Sequence, residues 1–157
     1  MLNILHLDEQ RGWRGGEQQV RYLVAGLAAR GCRQWVAGRP GSPILSRCAE
    51  VEGVTIVPLP MRGPLDVYSR WRLARLVRRA GIALLHAHTS HAHGLALGAR
   101  AWARQGHVVV SRRVDFAPRG GRFSRRKYLA PDAYVTVSHY IAQVLAGYGV
   151  SHERLHT

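Results

Sequence analysis

Four histidines, His86, His88, His91 and His93, fall within the short stretch LLHAHTSHAHG. Imidazoles this close can gather a metal ion or trade hydrogen bonds with a hydroxyl-rich ligand. The HxHxxH spacing can place nitrogens around zinc, but Ser90 stands where a hydrolytic motif of the HxHxDH kind needs Asp. With only 9 Asp plus Glu in the chain, further ligands are scarce, and no metal is expected. The apolar lead-in marks His86 as packed, hydrogen-bonded core. His88 and His91 are expected to face a ligand and to bond a sugar hydroxyl in their neutral form. A set of partly exposed loop histidines without a ligand is the alternative.

A second candidate is the glycine loop DEQRGWRGGEQQ, with Gly12, Gly15 and Gly16 ahead of a helical segment. Free amides and the positive end of a helix dipole favour a phosphate or another polar group there. The spacing is GxxGG rather than the dinucleotide GxGxxG, and no acidic residue closes the second strand to hold a ribose. Glu17 can cap the helix or bond a hydroxyl; a glycine-rich turn with no ligand stays open.

Two basic segments follow. In MRGPLDVYSRWRLARLVRRAG, Leu73, Leu76, Val77 and Ala80 define the buried stripe. At about 100° per residue, Arg72, Arg75, Arg78 and Arg79 share one opposite arc with Tyr68 and Trp71. Rings interleaved with guanidinium groups suit a headgroup layer of anionic lipid, and a solvated basic face is the alternative. SRRVDFAPRGGRFSRRKY carries seven basic residues from Arg112 to Lys127. Arg112, directly after a strand, is expected to meet a phosphate or acidic sugar. Pro118, Gly120 and Gly121 predict a mobile connector.

These residues need positioning elements, and short apolar runs alternate with helical periodicity throughout. Strands are expected at Leu2–Leu7, Gln34–Gly38, Val54–Pro58, Ile82–Ala87, His107–Ser111 and Ala133–Val137. Helices are expected at Gly15–Arg30, with Val20, Leu23, Val24 and Leu27 on one stripe, and at Ser42–Val51, Leu65–Ala80, Ala92–Arg104 and Tyr140–Gly147. Near-continuously apolar strands joined by helices predict an α/β, Rossmann-like, doubly wound and mostly parallel sheet covered on both faces, in a single domain. Such sheets bind ligands beyond the carboxyl ends of their strands, which is where the histidines and the glycine loop fall.

The whole chain has 157 residues and a formal charge of 23 − 9 = +14, nearly all of it arginine, since Lys127 is the only lysine. With 46% apolar residues it can bury a core, which excludes wholesale disorder. No run approaches the roughly 18 apolar residues of a membrane span, and MLNILHLDEQ lacks the order of a secretory signal, so the chain reads as cytosolic. Cys32 and Cys48 read as reduced thiols filling core gaps. The charge alone also fits a non-catalytic basic module for anionic lipid or nucleic acid. Phe116 and Phe123, its only phenylalanines, give little base-stacking platform, so nucleic acid is not the expected partner.

GGEQQVRYLVAGLAARG after the first strand, LLHAHTSHAHG, VVVSRRVDF and YLAPDAYVTVSHYIAQVLAGYGV together resemble the amino-terminal half of family-4-type retaining glycosyltransferases of the GT-B fold. The resemblance covers nearly the whole chain, residues 1–157. It implies that this half chiefly binds the acceptor, a glycan, glycolipid or lipopolysaccharide-type molecule. A second Rossmann-like domain, expected to follow beyond Thr157, would bind the nucleotide sugar. Transfer of a hexose would keep its anomeric configuration, with the donor phosphate deprotonating the acceptor and no metal or other cofactor required. By position, the resemblance makes Gly15, Gly16, Arg112 and Ser138 substrate-binding residues and His88 the catalytic one; their own chemistry as hydroxyl-bonding side chains adds Glu17 and His91 to the substrate-binding set. The place of work it implies is the cytoplasm, peripheral on the inner membrane face.

Overall fold

The computed structural model describes residues 1–118 and 120–157; Arg119, one of the seven basic connector residues, lies outside them. Seven strands form one sheet: β1 (Asn3–Leu7), β2 (Arg33–Gly38), β3 (Val54–Pro58), β4 (Leu84–Ala87), β5 (His107–Arg112), β6 (Ala133–Thr136) and β7 (Leu155–His156). Their order is β3-β2-β1-β4-β5-β6-β7, and every pairing is parallel. Helices α1 (Gly15–Ala28), α2 (Pro43–Ala49), α3 (Val67–Arg79), α4 (Ser90–Ala103), α5 (Arg122–Leu129) and α6 (His139–Tyr148) connect them. This is the expected doubly wound α/β architecture.

Each strand puts alternate side chains on opposite faces, and the helices seal both. On one face Leu5, Leu7, Leu85, Ala87, Val108 and Val110 meet Leu73 and Val77 of α3 and Leu95 and Ala99 of α4. On the other, Val36 meets Val20 and Val24 of α1 and Ile44 and Cys48 of α2. Burying each such Val, Leu or Ile contributes about 1.5–3 kcal/mol. On α1 the expected stripe narrows, because Val20 and Val24 are fully buried while Leu23 is 36% exposed.

Local chemistry sets the element ends. The Asp66 side chain accepts from Ser69 N at 3.1 Å and starts α3, two residues later than Leu65. Thr89 and Ser138 cap α4 and α6 in the same way. Gly149, at φ 112°, closes α6 in the left-handed region that glycine tolerates.

Two elements depart from expectation. The connector expected to be mobile contains α5, whose one fully buried face residue is Tyr128. Its basic composition hid the periodicity, and Gly120 and Gly121 read as a loop although Gly121 merely precedes the first turn. Strand β7 is two residues long and too short to announce itself by pattern.

The helix surfaces give a test of packing. Gly94 of α4 faces the loop before α3, and a Cβ there would lie 2.5 Å from Pro64 Cβ and 3.2 Å from Pro64 Cα. Gly147 of α6 has nothing within 4 Å. In urea denaturation Gly94→Val should cost at least about 2 kcal/mol. Gly147→Ala should be neutral or gain about 0.5 kcal/mol, and a tolerated Gly94→Val would refute the close approach of α4 to Pro64.

Candidate functional site

The strand order reverses between β1 and β4, so their following loops diverge and leave a crevice at the carboxyl edge of the sheet. A depression there is lined by Glu9, Gln10, Arg11, Gly12 and Arg14 of the first loop, Glu17 of α1, Arg39 after β2 and His91 of α4. Carboxylates that accept and guanidinium groups that donate stand side by side, the mixture a hydroxyl-rich ligand needs.

The glycine loop shapes one wall. Glu17 accepts from Arg14 N at 2.7 Å, so its capping alternative is realised. A Cβ at Gly15 would meet nothing within 4 Å, and one at Gly16 would meet only Arg113, at 3.9 Å from its Cδ. The backbone of the first helical turn therefore borders open space. Glu9 is tied down by the Thr89 hydroxyl, and its other oxygen lies 3.8 Å from His91 Nδ1. His91 is half exposed at the rim.

Behind this rim lies a buried row of imidazoles on the sheet face that α1 covers. His6 of β1 is in register with His86 of β4. The rings of His6 and His88 stack at 5.4 Å, and those of His86 and His88 lie 4.1 Å apart. His86 is packed core, bonded to Ser111 Oγ at 2.9 Å, as its apolar lead-in predicts. His88 departs from expectation: it is 5% exposed and contacts His6 Nδ1 and Arg113 rather than open solvent. The strand continues far enough to carry its ring under the α1 cover. His6 was invisible as a site residue because it sits alone in NILHL, 80 positions before His86.

Desolvation dominates the titration of this row. It lowers His6 to about 4 and His86 to about 3, and holds His88 well below the usual imidazole range, with repulsion from neighbouring imidazoles and Arg113 adding to the effect on the last two. His93, buried against Tyr128 and Tyr134, falls to about 3 by the same cause. Asp8 moves the other way: burial raises it to about 7, although the Gln10 amide at 3.0 Å opposes the shift.

Arg112, the last residue of β5, does not take the role expected of it. Arg112 is 6% exposed and donates from Nη1 to Tyr128 Oη at 3.2 Å and from Nη2 to the Phe116 carbonyl at 2.6 Å. It ties β5 to α5 and the connector and does not reach the crevice. Arg113 lies beside the glycine loop, 3.9 Å from where a Gly16 Cβ would sit, and donates to Gln19 Oε1 at 2.9 Å and to the His88 carbonyl at 3.1 Å. Strand parity explains the Arg112 placement, since Arg112 extends the inward series Val108, Val110. Ser138 bonds Ile141 N at 3.3 Å, a capping role.

His6, His86 and His88 bring one ring nitrogen each within 4.8 Å of one another, so among the described residues they form the one metal-competent group. Their nitrogens already exchange hydrogen bonds with each other, Gln34 and Ser111. The side chains expected at a membrane, Tyr68, Trp71, Arg72, Arg75, Arg78 and Arg79, are all exposed on α3. Arg72 lies over the Tyr68 ring at 5.8 Å and Arg75 over Trp71 at 5.6 Å. No helix among the described residues is long and apolar enough to cross a membrane.

A family model described as Glycosyltransferase Family 4 matches residues 13–157. No curated protein is similar enough in sequence to match the chain. Among solved structures, a glycosyltransferase from Rickettsia africae ESF-5 is 13% identical with a TM-score of 0.73, over 98% of this chain and 41% of that one. Anabaena HepE, solved with UDP, is 16% identical at 0.71, over 98% and 43%. The lipopolysaccharide outer core galactosyltransferase WaaB is 11% identical at 0.71, over 100% and 45%. The chain thus spans less than half the length of these GT-B structures.

Buried neutral imidazoles make stability depend on pH with a definite sign. Unfolded histidine takes up a proton below about pH 6.5, whereas these four resist it when folded, so their contribution is full above 6.5 and lost as pH falls. Asp8 acts oppositely, its contribution shrinking as pH rises from about 4 to 7. Between pH 6.5 and 4 each group changes stability by roughly 1 kcal/mol per pH unit, four against one. The urea midpoint should fall steeply on acidification through this range; a flat profile would mean that the imidazoles are solvated.

Proposed function

The chain belongs to Glycosyltransferase Family 4, and on that premise we propose that it is the acceptor-binding half of a retaining hexosyltransferase. The enzyme moves a sugar from a nucleotide-sugar donor to a glycolipid or lipopolysaccharide-type acceptor at the cytoplasmic face of a membrane. The observation that carries this reading is the crevice at the β1–β4 reversal, where Glu9 and Glu17 stand among Arg11, Arg14 and Arg39 at the start of α1, with Arg113 next to Gly16. Hydroxyls need both kinds of partner. HepE, a fold neighbour solved with UDP and with UDP-glucose, supports a nucleotide sugar as donor. WaaB, named for galactosyl transfer to lipopolysaccharide outer core, supports an acceptor of that class.

In this reading the donor is gripped mainly by a second domain, and the reaction takes place between the two. The chain's own part is to orient the acceptor. Gly15 and Gly16 let backbone amides approach it, the Glu17 oxygen that does not cap Arg14 N and the His91 ring bond hydroxyls at the rim, and Arg113 takes the cationic role that the sequence suggested for Arg112. His88 supports Arg113 from beneath. Displacement retains configuration, and the departing donor phosphate takes the proton of the acceptor hydroxyl. The exposed Tyr68–Trp71 pair with Arg72, Arg75, Arg78 and Arg79 supports docking on anionic headgroups, rings at the interface and guanidinium groups on phosphate.

Two measurements test this function. The 157-residue chain alone should release no sugar from UDP-glucose or related donors. In a protein carrying both halves, His88→Ala and Arg113→Ala should each lower transfer at least roughly tenfold; turnover by the isolated chain would remove the need for a second half. On the membrane side, Arg72→Glu with Arg75→Glu should weaken binding to phosphatidylglycerol vesicles by about fivefold per charge removed. Equal binding before and after the substitutions would assign that face to solvent.

A further inference from the structure

A buried hydrogen-bond series runs from α1 through β2, β1 and β4 to the crevice, and each link fixes the direction of the next. The Val24 carbonyl receives a bond from Gln34 Nε2 at 2.8 Å. A carbonyl only accepts, so the amide is oriented and turns its Oε1 toward His6 Nε2, 3.0 Å away. That oxygen also only accepts, so His6 carries its proton on Nε2. The ring is neutral and its Nδ1 is bare. His88 Nε2 lies 3.1 Å from that bare nitrogen and must be the donor. His88 is neutral too, so its own Nδ1 is bare, and it faces Arg113 Nη2 at 3.4 Å. A guanidinium only donates, and the series closes without a clash of protons.

We propose that Gln34 and His6 are positioning residues of the glycosyltransferase site: they fix the tautomer of His88, and His88 then holds the Arg113 guanidinium at the crevice mouth. His88 grips Arg113 twice, through its carbonyl at 3.1 Å and its bare Nδ1. Gln19 takes a third N–H. Two of the five guanidinium N–H groups remain for the oxygens of a bound sugar or phosphate. With the opposite His88 tautomer, an N–H would point at Arg113 and drive it away. The anchor is the Val24 end, because a backbone carbonyl held in a helix cannot turn aside, whereas the Arg113 side chain can. Removing Gln34 therefore frees the tautomers, whereas removing Arg113 leaves them as they are.

The kinetic consequence rests on the glycosyl-transfer reading; the tautomers do not, and the two are measured apart. Nitrogen–proton correlation spectra of the histidine-labelled 157-residue chain should show His6 and His88 both protonated on Nε2 and bare on Nδ1 near neutral pH. Arg113→Ala should leave that pattern unchanged, and Gln34→Leu should shift His88 toward a mixture of tautomers. His88 protonated on Nδ1, or a tautomer that follows Arg113 rather than Gln34, overturns the proposal. So does added zinc that moves the His6, His86 and His88 signals together, because a metal would replace the bridging protons. If Gln34→Leu does not fold, the unsubstituted spectrum and Arg113→Ala still decide. In a protein carrying both halves, Gln34→Leu should lower kcat/KM by roughly tenfold. The expected tautomers without any sugar transfer in that protein would sink the enzymatic reading and leave the positioning series standing; unchanged kcat/KM beside freed tautomers would overturn the positioning role.

Discussion

Desolvation of imidazole under helix α1 is the constraint on which the rest of this site depends. A row of histidines on a sheet face would be an electrostatic fault if charged. Buried at 7% exposure or less, the rings His6, His86 and His88 are held in the neutral form by desolvation. Neutral rings have one donor and one acceptor each, so they can be strung into a directed series rather than repel one another. The fold therefore turns residues that titrate readily in water into fixed dipoles, at the cost of stability in acid.

The same cover links the core to the crevice. Helix α1 contributes its first turn to the cleft, its middle to the apolar layer, and the Val24 carbonyl to the hydrogen-bond series. A shift of α1 would move the glycine loop and loosen the His88–Arg113 contact together. This explains how a site made of loop ends can be held by rigid elements, which loops alone cannot supply. The reversal between β1 and β4 supplies the opening, and the row of rings directly beneath it supplies the rigidity.

Much of this was legible in the sequence. Alternating apolar runs and helical segments gave six of the strands and their parallel arrangement, because a strand buried on both faces has no other composition. His86 was readable as core from its apolar lead-in. What the sequence hid depends on pairing across distance. His6 and Gln34 become partners of His88 only when β1 lies between β2 and β4. The choice between Arg112 and Arg113 was legible in principle: counting by twos from Val108 and Val110 turns Arg112 inward. Helix α5 was hidden because its outer face is almost wholly basic and only Tyr128 is fully buried.

In the proposed function, this family member meets its acceptor at the carboxyl edge between β1 and β4. The most direct measurement is a crystal structure of a protein carrying this chain and a donor-binding half, with a nucleotide sugar and an acceptor bound. The acceptor should lie against the Gly15–Gly16 amides, with Arg113 within hydrogen-bond reach and Arg112 still on Tyr128. An acceptor seated elsewhere on this domain, or Arg113 turned to solvent with the acceptor in place, would contradict this.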